Sequence, residues 1–160
     1  VRVLIFRKIA ACAPLTFRTN SPLRPHQSAK LANWGLFQFS GSAMNQPAHW
    51  LHLADTRSPY KDSAQYASET LDLMEKHWEM SPASVLISIT GGAQDFVLPP
   101  RLDKAFKYGL AKAAQATNAW VFTGGTDSGV MQLVGQALAE YNAAVQCIGV
   151  ATWGVVYGRD

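Results

Sequence analysis

The stretch from Ala119 to Met131, reading Ala-Trp-Val-Phe-Thr-Gly-Gly-Thr-Asp-Ser-Gly-Val-Met, constrains the fold of this chain more than any other. Trp120, Val121 and Phe122 form an apolar run of strand composition, and Gly124 and Gly125 stop it at once. From Ser128 onward, Val130, Met131, Val134, Leu138 and Tyr141 recur at helical spacings. The unit is strand, glycine turn, helix. Such a turn brings backbone N–H groups and the positive end of a helix dipole to one spot, an arrangement that suits a phosphate.

The same logic recurs upstream. Val85-Leu86-Ile87-Ser88-Ile89-Thr90 carries no charge on either face, as expected of a strand buried in a parallel sheet. It ends in Gly91-Gly92, and Pro99-Pro100 open a helix running to about Asn118, a residue that tolerates a left-handed C-cap. Leu102, Phe106, Leu110 and Ala113 are its expected buried stripe, with Ala105, Gly109 and Ala113 as a small-residue row allowing close approach to the sheet. The third strand is expected over Val145–Ala151. The order β-α-β-α-β over residues 84–151 predicts an α/β fold, half of a Rossmann-like parallel sheet flanked by helices. Its two glycine turns should line one crevice at the carboxyl edge of the strands, where open α/β sheets bind ligands.

Thr90, Gly91 and Gly92 from the first turn, and Gly124, Gly125, Thr126, Ser128 and Gly129 from the second, are therefore the candidate ligand residues. The threonine and serine hydroxyls add donors, and no Lys-Ser/Thr pair makes a Walker loop. Asp95 and Asp127 put carboxylates near the cradle, where like charge repels a phosphate unless a cation intervenes. Asp127 is read as the cap of the helix starting at Ser128. No nucleophile or positioned histidine accompanies these acids, so no catalytic residue is assigned. His26, His49, His52 and His77 lack metal-ligand spacing, so no metal is expected. The five tryptophans are scattered without basic interleaving and read as core rather than a base-stacking platform; no nucleic acid is expected.

Upstream, Trp34–Gly41 and Trp50–Ala54 are expected strands, an edge pair or long hairpin. A helix capped by Asp62 or Ser63 should run to about Trp78 and bury Ala64, Ala67, Leu71, Met74 and Trp78. Its acidic row, Glu69, Asp72, Glu75 and Glu79, is read as a solvated surface. Residues 1–33 are expected to be poorly ordered, although Val1–Phe6 could form a strand. Residues 1–61 hold eight Lys/Arg and one acid, whereas residues 62–160 hold six Lys/Arg and ten acids, so the net charge of +3 hides opposite halves. No apolar run approaches the roughly 20 residues needed to cross a bilayer. With two cysteines, Cys12 and Cys147, a disulfide framework is not expected, and Cys147 reads as a buried small hydrophobe in a reduced setting. The missing initiator Met and the ending just after a strand suggest a piece of a longer protein, with the sheet incomplete at the C-terminus.

Several segments resemble one family in order and spacing: SVLISITGGAQDF (Ser84–Phe96), PRLDKAFKYGLAKAAQATNAWVFTGGTDSGVM (Pro100–Met131) and IGVATWGV (Ile148–Val155), with WGLFQFSG and WLHLADTRSP upstream. They are similar to the N-terminal cytoplasmic homology region of melastatin-type transient receptor potential (TRP) cation channels. The resemblance covers about residues 34–158 and implies a Rossmann-like SLOG domain. It implies a regulatory or assembly role in a tetrameric, calcium-permeable plasma-membrane channel, whose membrane part lies elsewhere in the chain. It also implies ADP-ribose or a related nucleotide as ligand, bound by turns matching Thr90-Gly91-Gly92 and Gly124 to Met131, which adds Val130 and Met131 to the candidate set. The partners implied are other subunits of a homo-tetramer and the rest of the same polypeptide, on the cytoplasmic side of the membrane. The alternative is a stand-alone SLOG enzyme of the phosphoribohydrolase type, whose second glycine motif with its catalytic Glu this chain lacks. The family usually has an Asn where Asp95 stands and an uncharged residue where Asp127 stands.

Overall fold

Alternation along Ala119–Thr123 sets the layering of the molecule. Val121 faces one layer of helices, whereas Trp120 and Phe122 face the other. The computed structural model describes residues 3–8, 33–37, 48–53 and 63–152. In chain order these form β1 (Val3–Lys8), β2 (Asn33–Phe37), β3 (Ala48–Leu53), α1 (Ser63–Lys76), β4 (Val85–Ser88), α2 (Pro100–Ala116), β5 (Ala119–Thr123), α3 (Gly129–Glu140) and β6 (Gln146–Thr152). The sheet order is β2-β3-β1-β6-β5-β4. β5 lies parallel between β4 and β6, with Val121 opposite both Ile87 and Cys147. β1 runs antiparallel to β6 and β3, and β2 antiparallel to β3.

The parallel part is the expected β-α-β-α-β unit, and both crossover helices pack on one face. Leu110, Ala111 and Ala114 of α2 meet Val134, Ala137 and Leu138 of α3 over Val121 and Cys147. Full burial of an aliphatic side chain such as Val121 or Val134 stabilises the fold by roughly 1.5–3 kcal/mol. On the other face Leu73, Met74 and Trp78 of the α1 segment cover Trp120, Ile148 and Leu51. Trp120 Nε1 donates to the Ser81 carbonyl at 3.0 Å, satisfying the one polar atom of that ring. His49 stacks on Trp78 with ring centroids 5.4 Å apart, and His77 lies 5.4 Å from the Trp34 ring, so these histidines serve packing. Asn118 and Asn142 follow α2 and α3 with positive φ, of 46° and 45°, closing each helix in the left-handed region that Asn tolerates.

Four expectations need correction. Val3–Lys8, within the segment expected to be poorly ordered although Val1–Phe6 could form a strand, is a strand inside the sheet with a partner on each side. β4 is not buried on both faces: it is the last strand in the order, and Leu86 is 65% exposed. The buried side of the α1 segment is Leu73, Met74 and Trp78, whereas Ala64, Ala67 and Leu71 face solvent, because the segment turns those three onto Trp120, Ile148 and Leu51. Ala105, Gly109 and Ala113 of α2 are likewise exposed, the close approach being made by Ala111 and Ala114. The expectations for residues 9–32, 38–41 and 153–160, for Asp62 as a cap and for Cys12 lie outside the described residues.

Candidate functional site

Parallel neighbours bring their carboxyl ends to the same edge, so the turns after β4 and β5 meet on one rim. The approach is close. A Cβ placed on Gly91 would come within 2.9 Å of Val130 Cγ1. At Gly129 a Cβ would overlap the Gly92 carbonyl oxygen and lie 3.0 Å from the Gln94 carbonyl oxygen. Gly129 also has φ of 55°, in the region that favours glycine, so this position requires glycine on two counts.

Thr90, Gly91 and Gly92 lie on the exposed lip of the first turn. In the second turn a Cβ placed on Gly124 would lie 3.7 Å from the Met131 sulfur, and Gly125 adopts a φ of 72°. The Gly125 N–H donates to Thr123 Oγ1 at 3.2 Å, and the Thr126 and Ser128 hydroxyls pair at 3.2 Å. Val130 and Met131 point toward the glycines of the two turns, so their part in the rim is packing. All ten candidate residues therefore belong to one rim.

The start of α3 holds a feature that sequence reasoning missed. Ser128 occupies the N-cap position but makes no side-chain cap hydrogen bond, and Asp127 is exposed. The Gly129 N–H instead donates to Asp95 Oδ1 at 2.9 Å, across 34 residues of sequence. The cap expected from Asp127 thus comes from the other turn. A carboxylate at a helix N-terminus gains about 0.3–1 kcal/mol from the dipole, so Asp95 latches the first turn onto the second helix. The signal available in sequence was an acid shortly after the first glycine pair, but nothing local says which helix it reaches. In this conformation the Gly125 and Gly129 amides are both engaged by side-chain oxygens of the chain itself.

Behind the rim, Lys107 ties α2 to α3. Its Nζ lies 2.9 Å from Asp103 and 3.6 Å from Glu140. The Asp103 hydrogen bond holds the Lys107 pKa above its ordinary value against an opposing effect of burial. Among the described residues no three His, Cys, Asp or Glu side chains cluster as a metal site would require, and no helix is long and apolar enough to cross a membrane.

Comparison with known proteins gives one coherent result. Residues 60–160 match the family described as SLOG in TRPM. The chain is 47% identical over 96 residues to transient receptor potential cation channel subfamily M member-like 2 of Nematostella vectensis, covering 56% of this chain and 6% of that protein. It is 43% identical over 95 residues to subfamily M member 2 of Rattus norvegicus, covering 55% and 6%. With subfamily M member 1 of Mus musculus the identity is 33% over 138 residues, covering 84% of this chain and 8% of that protein. The chain therefore spans less than a tenth of the length of these relatives.

Proposed function

The chain belongs to the SLOG family of TRPM channels, and from that membership we propose that it works as a regulatory and assembly domain in the cytoplasmic N-terminal region of a TRPM-like, calcium-permeable cation channel. In this reading the pore lies elsewhere in the parent polypeptide, and the domain biases gating through a conformational equilibrium. Relatives named as channels favour this reading over a stand-alone phosphoribohydrolase. The rim is the sensing element, and its ligand is a phosphate-bearing nucleotide of the ADP-ribose kind.

One observation supports the ligand part of the reading: the N-terminus of α3 already holds an anion, the Asp95 carboxylate, at 2.9 Å from the Gly129 nitrogen. The amide is thus aimed to receive negative charge. The same observation sets a condition, because two anions do not share one amide. Ligand phosphate enters as Asp95 withdraws.

Calorimetric titration of ADP-ribose into wild-type, Asp95→Asn and Gly125→Val proteins tests this. Asp95→Asn is expected to bind more tightly than wild type, since a neutral amide yields the position without charge repulsion, and Gly125→Val is expected not to bind. An absence of heat and of chemical-shift change in wild type and Asp95→Asn at millimolar ligand would remove the sensing role.

A further inference from the structure

The two helical layers carry opposite charge. On one face of the sheet, the α1 segment through Glu79 holds Glu69, Asp72, Glu75 and Glu79 against the single base Lys76, a net charge of −3. On the opposite face, α2 holds Arg101, Lys104, Lys107 and Lys112 against Asp103, a net charge of +3. Lys107 turns inward to Asp103 and Glu140, while Arg101, Lys104 and Lys112 remain exposed at helical spacings along one stripe. Glu75 and Glu79 are likewise exposed at the end of this segment, whereas Asp72 pairs with Lys76 at 3.0 Å, so the excess acid there is Glu75 and Glu79. Tyr108, 52% exposed, lies between Lys104 and Lys112 on the basic stripe, and Leu71, 47% exposed, lies just before Asp72 on α1.

We infer that the acidic outer face of α1 in one copy of this chain docks against the basic outer face of α2 in the next. Charge complementarity selects the occupant. A copy meeting its own like face, α1 on α1 or α2 on α2, sets equal charges against each other, so a two-fold contact through either helix is disfavoured. The complementary faces lie on opposite sides of one sheet, so the contact is head-to-tail. Such contacts close into rings when the rotation between copies permits. The lengths are comparable: at about 1.5 Å per residue, 104–112 spans about two helical turns, and the acids from Asp72 to Glu79 span the last turn of α1 and the residues just after it. One helix face is small beside the ~800 Å² per partner of a stable interface, so the contact acts between copies already held in one assembly. This inference rests on the assembly part of the proposed function and names the surface that carries it.

Disulfide trapping in the full-length protein tests the contact. Glu75→Cys and Lys104→Cys are placed in separately tagged copies, co-expressed and oxidised mildly. A cross-linked dimer is expected from the mixture and not from either variant alone, with a several-fold lower yield in 0.5 M salt, where the Debye length is only ~4 Å. Lys112→Glu added to the Lys104→Cys copy should lower the yield several-fold, and Glu79→Lys added to the Glu75→Cys copy should restore it. That restoration separates a lost contact from a misfolded helix. Co-purification of the two tags reads assembly independently. Copies that co-purify without the mixed cross-link, or that cross-link equally from Glu75→Cys alone, overturn the contact and leave assembly standing; copies that never co-purify overturn both.

Discussion

Replacing glycine by alanine should have opposite effects at two positions of this chain. At Gly129 the backbone has φ of 55°, which costs a residue with a Cβ about 1–2 kcal/mol. The new methyl would also overlap the Gly92 carbonyl oxygen, which belongs to backbone and cannot rotate aside as a side chain would. The first turn must therefore move off α3, weakening the bond from Gly129 N–H to the Asp95 carboxylate. Hydrogen bonds to charged groups contribute roughly 1.5–3 kcal/mol, and Asp95 is exposed, so the lower part of that range applies. Together these give a destabilisation of about 2–4 kcal/mol, or a fall in Tm of roughly 5–15 °C for a chain of this size. Gly109 lies exposed in the middle of α2, and a Cβ there would meet nothing within 4 Å. Gly109→Ala should therefore stabilise by about 0.5–1 kcal/mol through helix propensity. Urea unfolding followed by tryptophan fluorescence reads both variants, with the buried Trp78 and Trp120 as reporters. A Gly129→Ala midpoint equal to wild type, or both variants shifting the same way, would refute the close approach of the turns.

Three further outcomes are expected. Trp120→Phe removes the donor to the Ser81 carbonyl and part of a buried ring, and should cost about 1–3 kcal/mol in the same unfolding assay. The Lys107 pKa is raised by its Asp103 hydrogen bond, so its stabilisation is fully present below the ordinary value of 10.5 and is lost as pH rises through the raised value. The stability difference between wild type and Lys107→Met should accordingly be constant through neutral pH and shrink in strongly alkaline solution; a difference that grows there contradicts the assignment. Asp95→Ala should destabilise by about 0.5–2 kcal/mol, as loss of a helix cap does, whereas Asp127→Ala should lie within about 0.5 kcal/mol of wild type, as exposed substitutions do.

The parallel half of the fold was legible because its signals are local. Trp120 to Phe122 followed by Gly124-Gly125, and Val85 to Ile89 followed by Gly91-Gly92, each state a strand and its end within a few residues. Asn118 as a helix stop was legible for the same reason, since the left-handed conformation is a property of that residue. What sequence could not supply was rotation and distance. Leu71 and Leu73 are both leucines two positions apart on α1, yet one is 47% exposed and the other buried, because the partner that decides between them is Trp120, far along the chain. Small residues on α2 misled likewise: Ala113 and Ala114 are adjacent and identical, and only the sheet determines which is buried. β4 read as buried because composition reports apolarity, whereas its position as the last strand is a fact of topology. Asp95 was noticed for its charge, but its partner at Gly129 follows from two strands lying side by side, a relation no periodicity encodes.

The first turn of the rim leads into α2, the helix that carries the proposed docking stripe, and in that reading this gives ligand and neighbour a physical route to each other. Asp95 sits on the loop that leads into α2, and the Leu102 and Asp103 amides bond back to the Pro99 carbonyl at 2.8 and 3.0 Å, so loop and helix start are joined. A phosphate that displaces Asp95 from Gly129 frees that loop at its rim end. Arg101 and Lys104, the first bases of the stripe, lie within the next turn and a half of helix. The far end of α2 has no such freedom, because Leu110, Ala111 and Ala114 are buried against α3 and β5. Movement therefore concentrates at the N-terminal part of the stripe. By linkage, a ligand that changes the neighbour contact must itself bind with an affinity that depends on that contact. Charge reversal at Lys104 should thus alter ligand affinity in the assembled protein while leaving it unchanged in the isolated chain.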